Sequence, residues 1–355
     1  MNGKILFIGG CGHGRETTNG VAAKNHFLLS RLKELFTTVR VVDTDGWKMN
    51  PFILLKLAVY LLLFRRHKLV LSLNTPSAYK FIVMANTFFP KRHICYFVIG
   101  GTLADYMRSG KVRLKPFRCI NWFMVETRQM RDDMLQMGFE NVIQVPNFKT
   151  INHLPAASPS KLEGVRGTME GGLRFLFLSR IIPEKGCNYI FDALALLNQE
   201  GCGDRIVVDF YGTVPSSYRG HFMERLEETP NAAYKGFIDM RNARNYDVLA
   251  AYDAMLFPTY WHGEGFPGIV IDAFIAGLPV IASDWGHNCE VIEHEKTGIL
   301  IPTHDVRALA DAMKHMADNP EEMAMMSHNC QKCAWDYDTR HVLSEELMKR
   351  ILGKG

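Results

Sequence analysis

One stretch of the sequence, residues 257–277, combines carboxylates with glycines in a pattern suited to binding an anion. An apolar run ends near Pro258, and a polar, glycine-rich segment with a carboxylate at Glu264 follows it. Pro267 and Gly268 then open a helix, because proline is tolerated in a first helical turn, where its missing N–H costs no hydrogen bond. A strand, a glycine-rich loop and a helix N-terminus together predict an anion site at this point.

Other ionisable residues belong to the same pattern. Asp272 lies about a turn and a half inside the predicted helix, where a polyhydroxyl partner suits it better than a second anion. Gly277 predicts a left-handed stop for that helix. Arg180 and Lys185 follow another strand, five residues apart. The arginine fork and the lysine point charge together suit a diphosphate, although a solvated loop is an equally good interpretation of this pair alone.

Two more strand ends in the second half contain glycine, at Gly212 and at Gly236-Phe237. Ligands of open α/β sheets bind beyond the C-terminal ends of the strands. Glycine at these places allows a ligand to approach the backbone, and main-chain groups near Gly236 are suited to reading the edge of a base. We therefore expect these positions to line the same crevice as the anion site.

The elements that must position these residues alternate between strand and helix, which predicts an α/β protein with parallel sheets. A length of 355 residues suggests two domains of about 150–200 residues each. We predict a first Rossmann-like domain over 1–150, a linker over 151–172 that is rich in Pro, Ser and Gly, and a second Rossmann-like domain over 173–338. The terminal segment 339–355 contains an amphipathic helix, a candidate to return to the first domain.

The first domain opens with a βαβ unit whose turn is glycine-rich but lacks the GxGxxG spacing of a dinucleotide site. Gly10 and His13 in this turn are candidate contacts for a sugar or an acceptor, with a solvated loop histidine as the more ordinary interpretation of His13. His262, two residues before Glu264, is a better candidate for the crevice.

The charge is distributed unevenly along the chain. Residues 1–155 carry 22 Lys+Arg against 9 Asp+Glu, whereas 156–355 carry 19 against 28. The basic half predicts an anionic partner, such as a membrane surface, a phosphate-bearing acceptor or nucleic acid. The apolar run 51–64 is shorter than the roughly 20 residues that a bilayer requires, and basic residues follow it. A buried crossover helix is the favoured interpretation, and a helix dipped into an anionic membrane face is the alternative.

Metal and disulfide signals are weak. The eight cysteines have no framework spacing, which fits a reducing cytosol, and Cys330 and Cys333 form a lone CxxC. Two DxD matches, at 43–45 and 336–338, lie outside the glycine-rich loops and are interpreted as chance. The apolar run at the N-terminus is too short for a signal peptide and predicts a first strand. These features favour a cytoplasmic protein without a bound metal.

The motifs from Arg180 and Lys185 through Gly212 and Gly236 to the segment 264–282 resemble the GT4 family of retaining glycosyltransferases. Members of that family have the GT-B architecture, in which two Rossmann-like domains face each other across a cleft. The resemblance is strong over about 174–302 and rests on topology alone in the first half.

The resemblance implies roles for particular residues. Arg180 and Lys185 would hold the donor diphosphate and stabilise the leaving nucleotide, so these two residues and Glu264 are the catalytic candidates. Glu264 matches the first glutamate of the family's Glu-x7-Glu motif and would contact the donor sugar. Asp272 stands where the family has the second glutamate, which binds ribose, and its side chain is one methylene shorter. The other implied donor-binding residues are Gly212, Gly236, Phe237, Gly265, Phe266, Pro267, Gly268, Ile269 and Val270.

The function that the resemblance implies is transfer of a sugar, with retention, from a nucleotide-sugar that is most often UDP-linked. The acceptor would be a glycan or a lipid-linked saccharide in polysaccharide biosynthesis, with peripheral contact to an anionic membrane at its inner face. No cofactor, metal or nucleic acid is expected. The alternatives are a nucleotide-sugar epimerase or phosphorylase-like enzyme of the same fold, a nucleotide-binding oxidoreductase and a catalytically silent binding subunit.

Overall fold

The computed structural model describes residue 1 and residues 3–12, 20–47, 50–88, 92–156 and 172–353. The chain divides into two compact units, one formed by Met1–Thr150 with Tyr337–Gly355 and the other by Ile151–Asp336. Most of the predicted linker lies outside the described residues.

Unit 1 is built on a six-stranded parallel sheet with the strand order β2-β1-β3-β4-β5-β6. The order reverses between β1 and β3, which is the switch point of a doubly wound sheet. Its strands are β1 (Lys4–Gly9), β2 (Thr38–Asp43), β3 (Lys68–Asn74), β4 (Ile94–Ile99), β5 (Trp122–Val125) and β6 (Val142–Gln144). Its first six helices are α1 (Gly20–Leu35), α2 (Pro51–Leu63), α3 (Thr75–Phe88), α4 (Leu103–Arg108), α5 (Leu114–Phe117) and α6 (Arg128–Gln136).

Both faces of this sheet are covered, because successive side chains of a strand point to opposite faces. In β1, Leu6 and Ile8 join the apolar cluster that contains α2 and α3. Ile5 and Phe7 join a second cluster, on the side of α1. The near-continuous apolar character of β1 in the sequence follows from this two-sided burial.

Helix α2 is a crossover connection, as predicted, but it is not buried. Leu57 and Leu61 pack into the core, whereas Phe52 is 75% exposed and Leu63 is 70% exposed. The interpretation of this run as a buried helix was therefore wrong. Among the helices that the structure describes, none is long and apolar enough to cross a bilayer.

Unit 2 is built on a second six-stranded parallel sheet, with the order β12-β11-β10-β7-β8-β9. Its strands are β7 (Leu173–Leu178), β8 (Ile206–Tyr211), β9 (Ala232–Tyr234), β10 (Ala254–Phe257), β11 (Val280–Ser283) and β12 (Gly298–Ile301). Its helices are α7 (Cys187–Gln199), α8 (Ser216–Glu227), α9 (Asn245–Ala250), α10 (Gly268–Ile275), α11 (Val306–Asp318) and α12 (Pro320–Ala334). The order reverses between β7 and β10, so ligands are expected beyond the ends of these two strands.

The chain ends in two helices, α13 (Thr339–Val342) and α14 (Glu345–Leu352), where the sequence predicts one. The two helices are separated at Ser344, whose hydroxyl oxygen caps the start of α14 by accepting the N–H of Leu347 at 3.3 Å. Met348 and Ile351 pack into the same cluster as β1. The terminal helix therefore packs on unit 1.

Candidate functional site

The predicted anion site falls at the switch point of unit 2. Strands β7 and β10 are direct neighbours, with Phe177 paired to Leu256 one residue before each strand ends. The loop 179–186 follows β7, and the loop 258–267 follows β10. The sheet topology therefore brings together the two segments that carry the ionisable residues.

The two loops are joined by main-chain contacts. Gly186 has a φ of +83°, and a Cβ at this position would lie 2.1 Å from the carbonyl oxygen of Pro258. The carbonyl of Glu184 accepts the N–H of Tyr260 at 2.9 Å and the hydroxyl of Thr259 at 3.3 Å. Only glycine suits both this conformation and this close approach, so Gly186 sets the distance between the loops.

Lys185 and Glu264 form a buried ion pair between these loops. The Nζ of Lys185 donates to Oε2 of Glu264, and the two side chains are 8% and 12% exposed. The Thr259 hydroxyl also lies 3.3 Å from the same Oε2, so its single hydrogen is shared between this oxygen and the carbonyl of Glu184. A buried pair is weak evidence for stability, because desolvation offsets much of the Coulomb attraction. The two residues are 79 positions apart in the chain, so the fold holds a cation and a carboxylate together at the sheet edge.

Arg180 is exposed on the loop after β7. The guanidinium carbon lies 5.1 Å from the ring centroid of Trp261, a cation–π geometry. The carbonyl of Trp261 accepts the indole N–H of Trp285 at 2.9 Å and the N–H of Glu264 at 3.1 Å. The surface that Arg180 stacks on is therefore fixed to the loop that carries Glu264.

Helix α10 begins directly after this loop. Pro267 precedes it in an extended conformation, and no side chain of the described residues caps it. Gly268 and Ile269 are partly exposed, so their N–H groups lie in the open first turn. Val270 differs from the prediction, because its N–H donates to the carbonyl of Pro267 at 3.0 Å and the residue is buried. Gly265, Phe266 and Pro267 are also buried.

The two predicted glycine positions contact each other. The N–H of Gly212 donates to the carbonyl of Gly236 at 2.8 Å. A Cβ on Gly212 would lie 1.7 Å from the carbonyl oxygen of Ser179, the residue after β7, whereas a Cβ on Gly236 would meet open space. Phe237 is half-buried beside them. This strand end is therefore open above Gly236 and close-packed at Gly212.

Gly212→Ala is expected to lower the free energy of unfolding by about 3 kcal/mol, because its Cβ overlaps a backbone oxygen that cannot move alone. Urea unfolding measures this change. Gly220→Ala is the matched control, since its Cβ in α8 meets nothing within 4 Å and alanine favours the helix. Equal stability of the two variants would contradict the close packing at Gly212.

The side chain of Asp272 is buried and hydrogen-bonded within unit 2. The residue is 2% exposed, and its Oδ1 accepts the hydroxyl of Tyr246 at 2.7 Å. Burial, together with the Asp272 carboxylate, raises the pKa of Tyr246 well above its ordinary value of 10.0. The hydroxyl therefore stays protonated at neutral pH and holds the carboxylate inside α10. Sequence reasoning missed Tyr246, since a tyrosine 26 residues before Asp272 carries no local signal.

The remaining candidate contacts are His262, Gly10 and His13. His262 is exposed on the loop before Glu264. Gly10 belongs to unit 1, where its carbonyl accepts the side-chain amide of Asn25 at 2.9 Å. His13 lies outside the described residues.

An aromatic cluster that the sequence does not predict borders the second loop. The rings of Tyr260 and His304 are 4.7 Å apart, and those of Tyr189 and Tyr260 are 5.6 Å apart. The Tyr189 hydroxyl is hydrogen-bonded to Nδ1 of His304. These residues come from α7, from the loop after β10 and from the loop after β12, so only the fold brings them together.

The acidic motifs and the CxxC have structural partners. Oδ1 of Asp43 accepts the N–H groups of Cys11 and Asp45, both at 2.9 Å. Asp338 caps α13 and pairs with the guanidinium of Arg340 at 2.9 Å. The Cys330 thiol donates to the carbonyl of Thr297 at 3.3 Å. Within the described ranges, no three His, Cys, Asp or Glu side chains converge as a metal site.

Comparison with known proteins gives a family match within the second unit. Residues 172–319 match the family model described as glycosyl transferases group 1. This match confirms the resemblance that the motifs predict, over the greater part of unit 2.

Two curated relatives illustrate the match. The chain is 32% identical to a D-inositol 3-phosphate glycosyltransferase of Saccharomonospora viridis, over 26% of this chain and 21% of that protein. It is 22% identical to a poly(ribitol-phosphate) alpha-N-acetylglucosaminyltransferase of Staphylococcus aureus, over 60% of this chain and 40% of that protein. The chain thus spans less than half the length of these relatives.

Solved structures match over almost the whole chain. Anabaena HepE in complex with UDP-glucose has a TM-score of 0.70 at 18% identity and covers 98% of this chain and 99% of its own. Sucrose-phosphate synthase from Thermosynechococcus elongatus has a TM-score of 0.75 at 13% identity, with 98% of each chain covered. At these identities the likeness shows the fold, and the predicted α/β architecture with two Rossmann-like sheets is confirmed.

Proposed function

We propose that the protein is a metal-independent glycosyltransferase that moves a sugar from a UDP-sugar to a glycan or lipid-linked acceptor. The observation that carries the proposal is the buried Lys185–Glu264 pair at the switch point of a glycosyl transferases group 1 domain. In the reaction, the bond between the anomeric carbon and the phosphate oxygen breaks, and UDP leaves with both bonding electrons. The acceptor hydroxyl bonds to the anomeric carbon, and its proton is released.

The leaving diphosphate is the group that the loops stabilise. Negative charge develops on its oxygen as the anomeric bond breaks, and preorganised cations lower the energy of that state. Lys185 reaches this point from one side, and the first turn of α10 contributes its free N–H groups at Gly268 and Ile269. Arg180 is exposed on the loop after β7, against the ring of Trp261, and supplies a fork for the second phosphate.

Glu264 has a different part in the proposal. Its Oε2 pairs with Lys185. A bound diphosphate competes for that ammonium group and leaves the carboxylate free to accept hydroxyl groups of the donor sugar. The pair thus holds Lys185 in place before the donor binds, so the ammonium group requires little reorganisation afterwards.

The proposal includes a preference for UDP, retention of the anomeric configuration and a class of acceptor. Anabaena HepE, which has the same fold, was solved in complex with UDP-glucose, and one relative is a poly(ribitol-phosphate) alpha-N-acetylglucosaminyltransferase. The excess of Lys and Arg in the first half supports an anionic acceptor or an acceptor borne on an anionic membrane.

Chromatography of reaction mixtures tests this function. The protein is incubated separately with UDP-glucose, UDP-N-acetylglucosamine, UDP-galactose, GDP-mannose and ADP-glucose, with octyl glycosides as surrogate acceptors. We expect release of UDP together with a glycosylated octyl glycoside whose new anomeric centre keeps the donor configuration by NMR. Conversion of a nucleotide-sugar to its epimer without net release of UDP would instead establish the epimerase alternative.

Asp272 is proposed to bind the ribose hydroxyl groups from its buried position. Asp272→Asn is then expected to raise the Kd for UDP about tenfold, because the neutral amide accepts hydrogen bonds more weakly than a carboxylate. Its Kd for pyrophosphate, which has no ribose, stays unchanged in calorimetric titrations.

Tyr246→Phe is the matched control and removes the 2.7 Å hydrogen bond to Asp272. We expect it to lower the free energy of unfolding by about 1–3 kcal/mol with little effect on UDP affinity. A tenfold loss of pyrophosphate affinity in Asp272→Asn would contradict the ribose role.

A further inference from the structure

Helix α2 presents an apolar face to solvent. Phe52 is 75% exposed, Leu55 60%, Leu62 63% and Leu63 70%. With Val59, these side chains follow the i, i+3, i+7, i+10 and i+11 positions of one helical stripe, opposite the two leucines that pack into the core. Large apolar side chains at this exposure seldom occur together unless something covers them.

The segment of the chain that contains α2 is basic and has no acidic residue. From Gly46 to Ala104 the sequence has no Asp or Glu, and it has eight Lys and Arg. Lys56, within the helix, and Arg65 and Arg66, just after it, are all exposed. The apolar stripe is thus bordered by positive charge at its middle and at its C-terminal end.

Helix α3 also exposes apolar side chains. It packs into the same core cluster as α2, on one face of the sheet of unit 1. Phe88, in its last turn, is 68% exposed, and Val83 is 37% exposed. Lys80, also exposed, lies with its ammonium group 5.3 Å from the ring centroid of Trp47.

We propose that the exposed face of α2 inserts into the headgroup region of an anionic lipid bilayer and holds unit 1 against the membrane. The helix has 13 residues and is about 20 Å long, so it lies in the plane of the interface and does not span it. Phe52, Leu55, Leu62 and Leu63 enter the acyl boundary. Lys56, Arg65 and Arg66 contact the lipid phosphates, with a salt-dependent attraction.

A bilayer suits this surface better than a protein partner does. A protein interface has a polar rim whose hydrogen bonds give it specificity. Lys56 and Tyr60 are the only residues of this helix whose side chains carry a polar atom. A lipid surface requires only apolar insertion and charge, which are the two features that α2 supplies.

Vesicle flotation tests the proposal without any sugar donor or acceptor, so its outcome is independent of the glycosyltransferase proposal. The probe is a vesicle of phosphatidylcholine with 30% phosphatidylglycerol, compared with pure phosphatidylcholine, at low and high salt. Three variants of the whole chain accompany the wild type. The first is Leu62→Ser/Leu63→Ser, the second is Arg65→Ser/Arg66→Ser, and the matched control is Leu135→Ser/Met325→Ser. The control replaces two leucine-sized residues that are 44% and 62% exposed on other helices.

The wild type and the control are expected to float with anionic vesicles at low salt and to be released at high salt. Leu62→Ser/Leu63→Ser should lower the partition coefficient at least tenfold, because two apolar anchors are lost. Arg65→Ser/Arg66→Ser should lower it about thirtyfold on anionic vesicles and leave the weak binding to neutral vesicles unchanged. Circular dichroism melting confirms that each variant is folded.

Three results would overturn the proposal. One is wild-type protein that stays unbound at low salt, and another is equal flotation of the wild type and Leu62→Ser/Leu63→Ser. The third is a wild-type dimer in light scattering that this variant converts to a monomer, because α2 would then contact a second copy of the chain.

Discussion

Glu264→Gln is expected to lower kcat for sugar transfer about a thousandfold while the Kd for UDP changes less than about threefold. The amide retains the size of the side chain and still accepts a hydrogen bond from Lys185, so the loops keep their positions. It lacks the carboxylate charge that accepts the hydroxyl groups of the donor sugar and that also stabilises the positive charge developing at the anomeric carbon as its bond to phosphate breaks. The measurement is steady-state transfer from a UDP-sugar, together with calorimetric titration of UDP.

Glu184→Gln is the matched control for this variant, because Glu184 lies on the neighbouring loop and contributes its carbonyl to the loop contact. Its side chain carries the same charge and should be replaceable with less than about a threefold effect on kcat, as for a residue outside the reacting centre. Wild-type transfer by Glu264→Gln, or an equal loss in both variants, would remove Glu264 from the reaction.

Lys185→Ala is expected to raise the Kd for UDP about a hundredfold and to lower kcat as well, because the ammonium group binds both the ground-state and the leaving diphosphate. The variant also leaves a carboxylate that is 12% exposed without its cation. That loss should lower the free energy of unfolding by about 3 kcal/mol. Titration well below the melting temperature separates the affinity loss from the stability loss.

The charge can be restored for comparison. Lys185→Arg keeps the cation with a different shape, so we expect it to recover most of the stability and part of the UDP affinity. A double variant, Lys185→Met/Glu264→Met, removes both charges and should be more stable than Lys185→Ala alone. An unchanged Kd for UDP in Lys185→Ala would exclude this residue from the diphosphate site.

The sequence predicts the positions of these loops well, because local signals punctuate them. The bounds of α10 follow from Pro267 and Gly268 at its start and from the left-handed Gly277, with a φ of +68°, at its end. Alternation of strand and helix predicts the doubly wound sheets. The order β12-β11-β10-β7-β8-β9 then places the cations and Glu264 on one edge without further assumptions.

The features that the sequence does not predict depend on contacts between distant segments. Tyr246 reaches Asp272 only because α9 packs beside α10, and His304 reaches Tyr189 across 115 residues. The exposure of α2 was mispredicted for a related reason. The apolar content of the helix would be the same if the core covered the whole helix or only one stripe of it. The structure shows that only the stripe with Leu57 and Leu61 is buried.

A thermal-shift comparison of nucleotides tests the central claim most directly, namely that the crevice at Lys185 and Glu264 binds the diphosphate of a nucleotide-sugar. Ligand that binds only the folded protein raises the melting temperature by mass action. We predict that UDP and UDP-sugars stabilise the wild type, that Lys185→Ala loses this stabilisation, and that NAD and NADP stabilise neither. Stabilisation by NAD or NADP alone, or an equal UDP shift in the wild type and Lys185→Ala, would contradict the account.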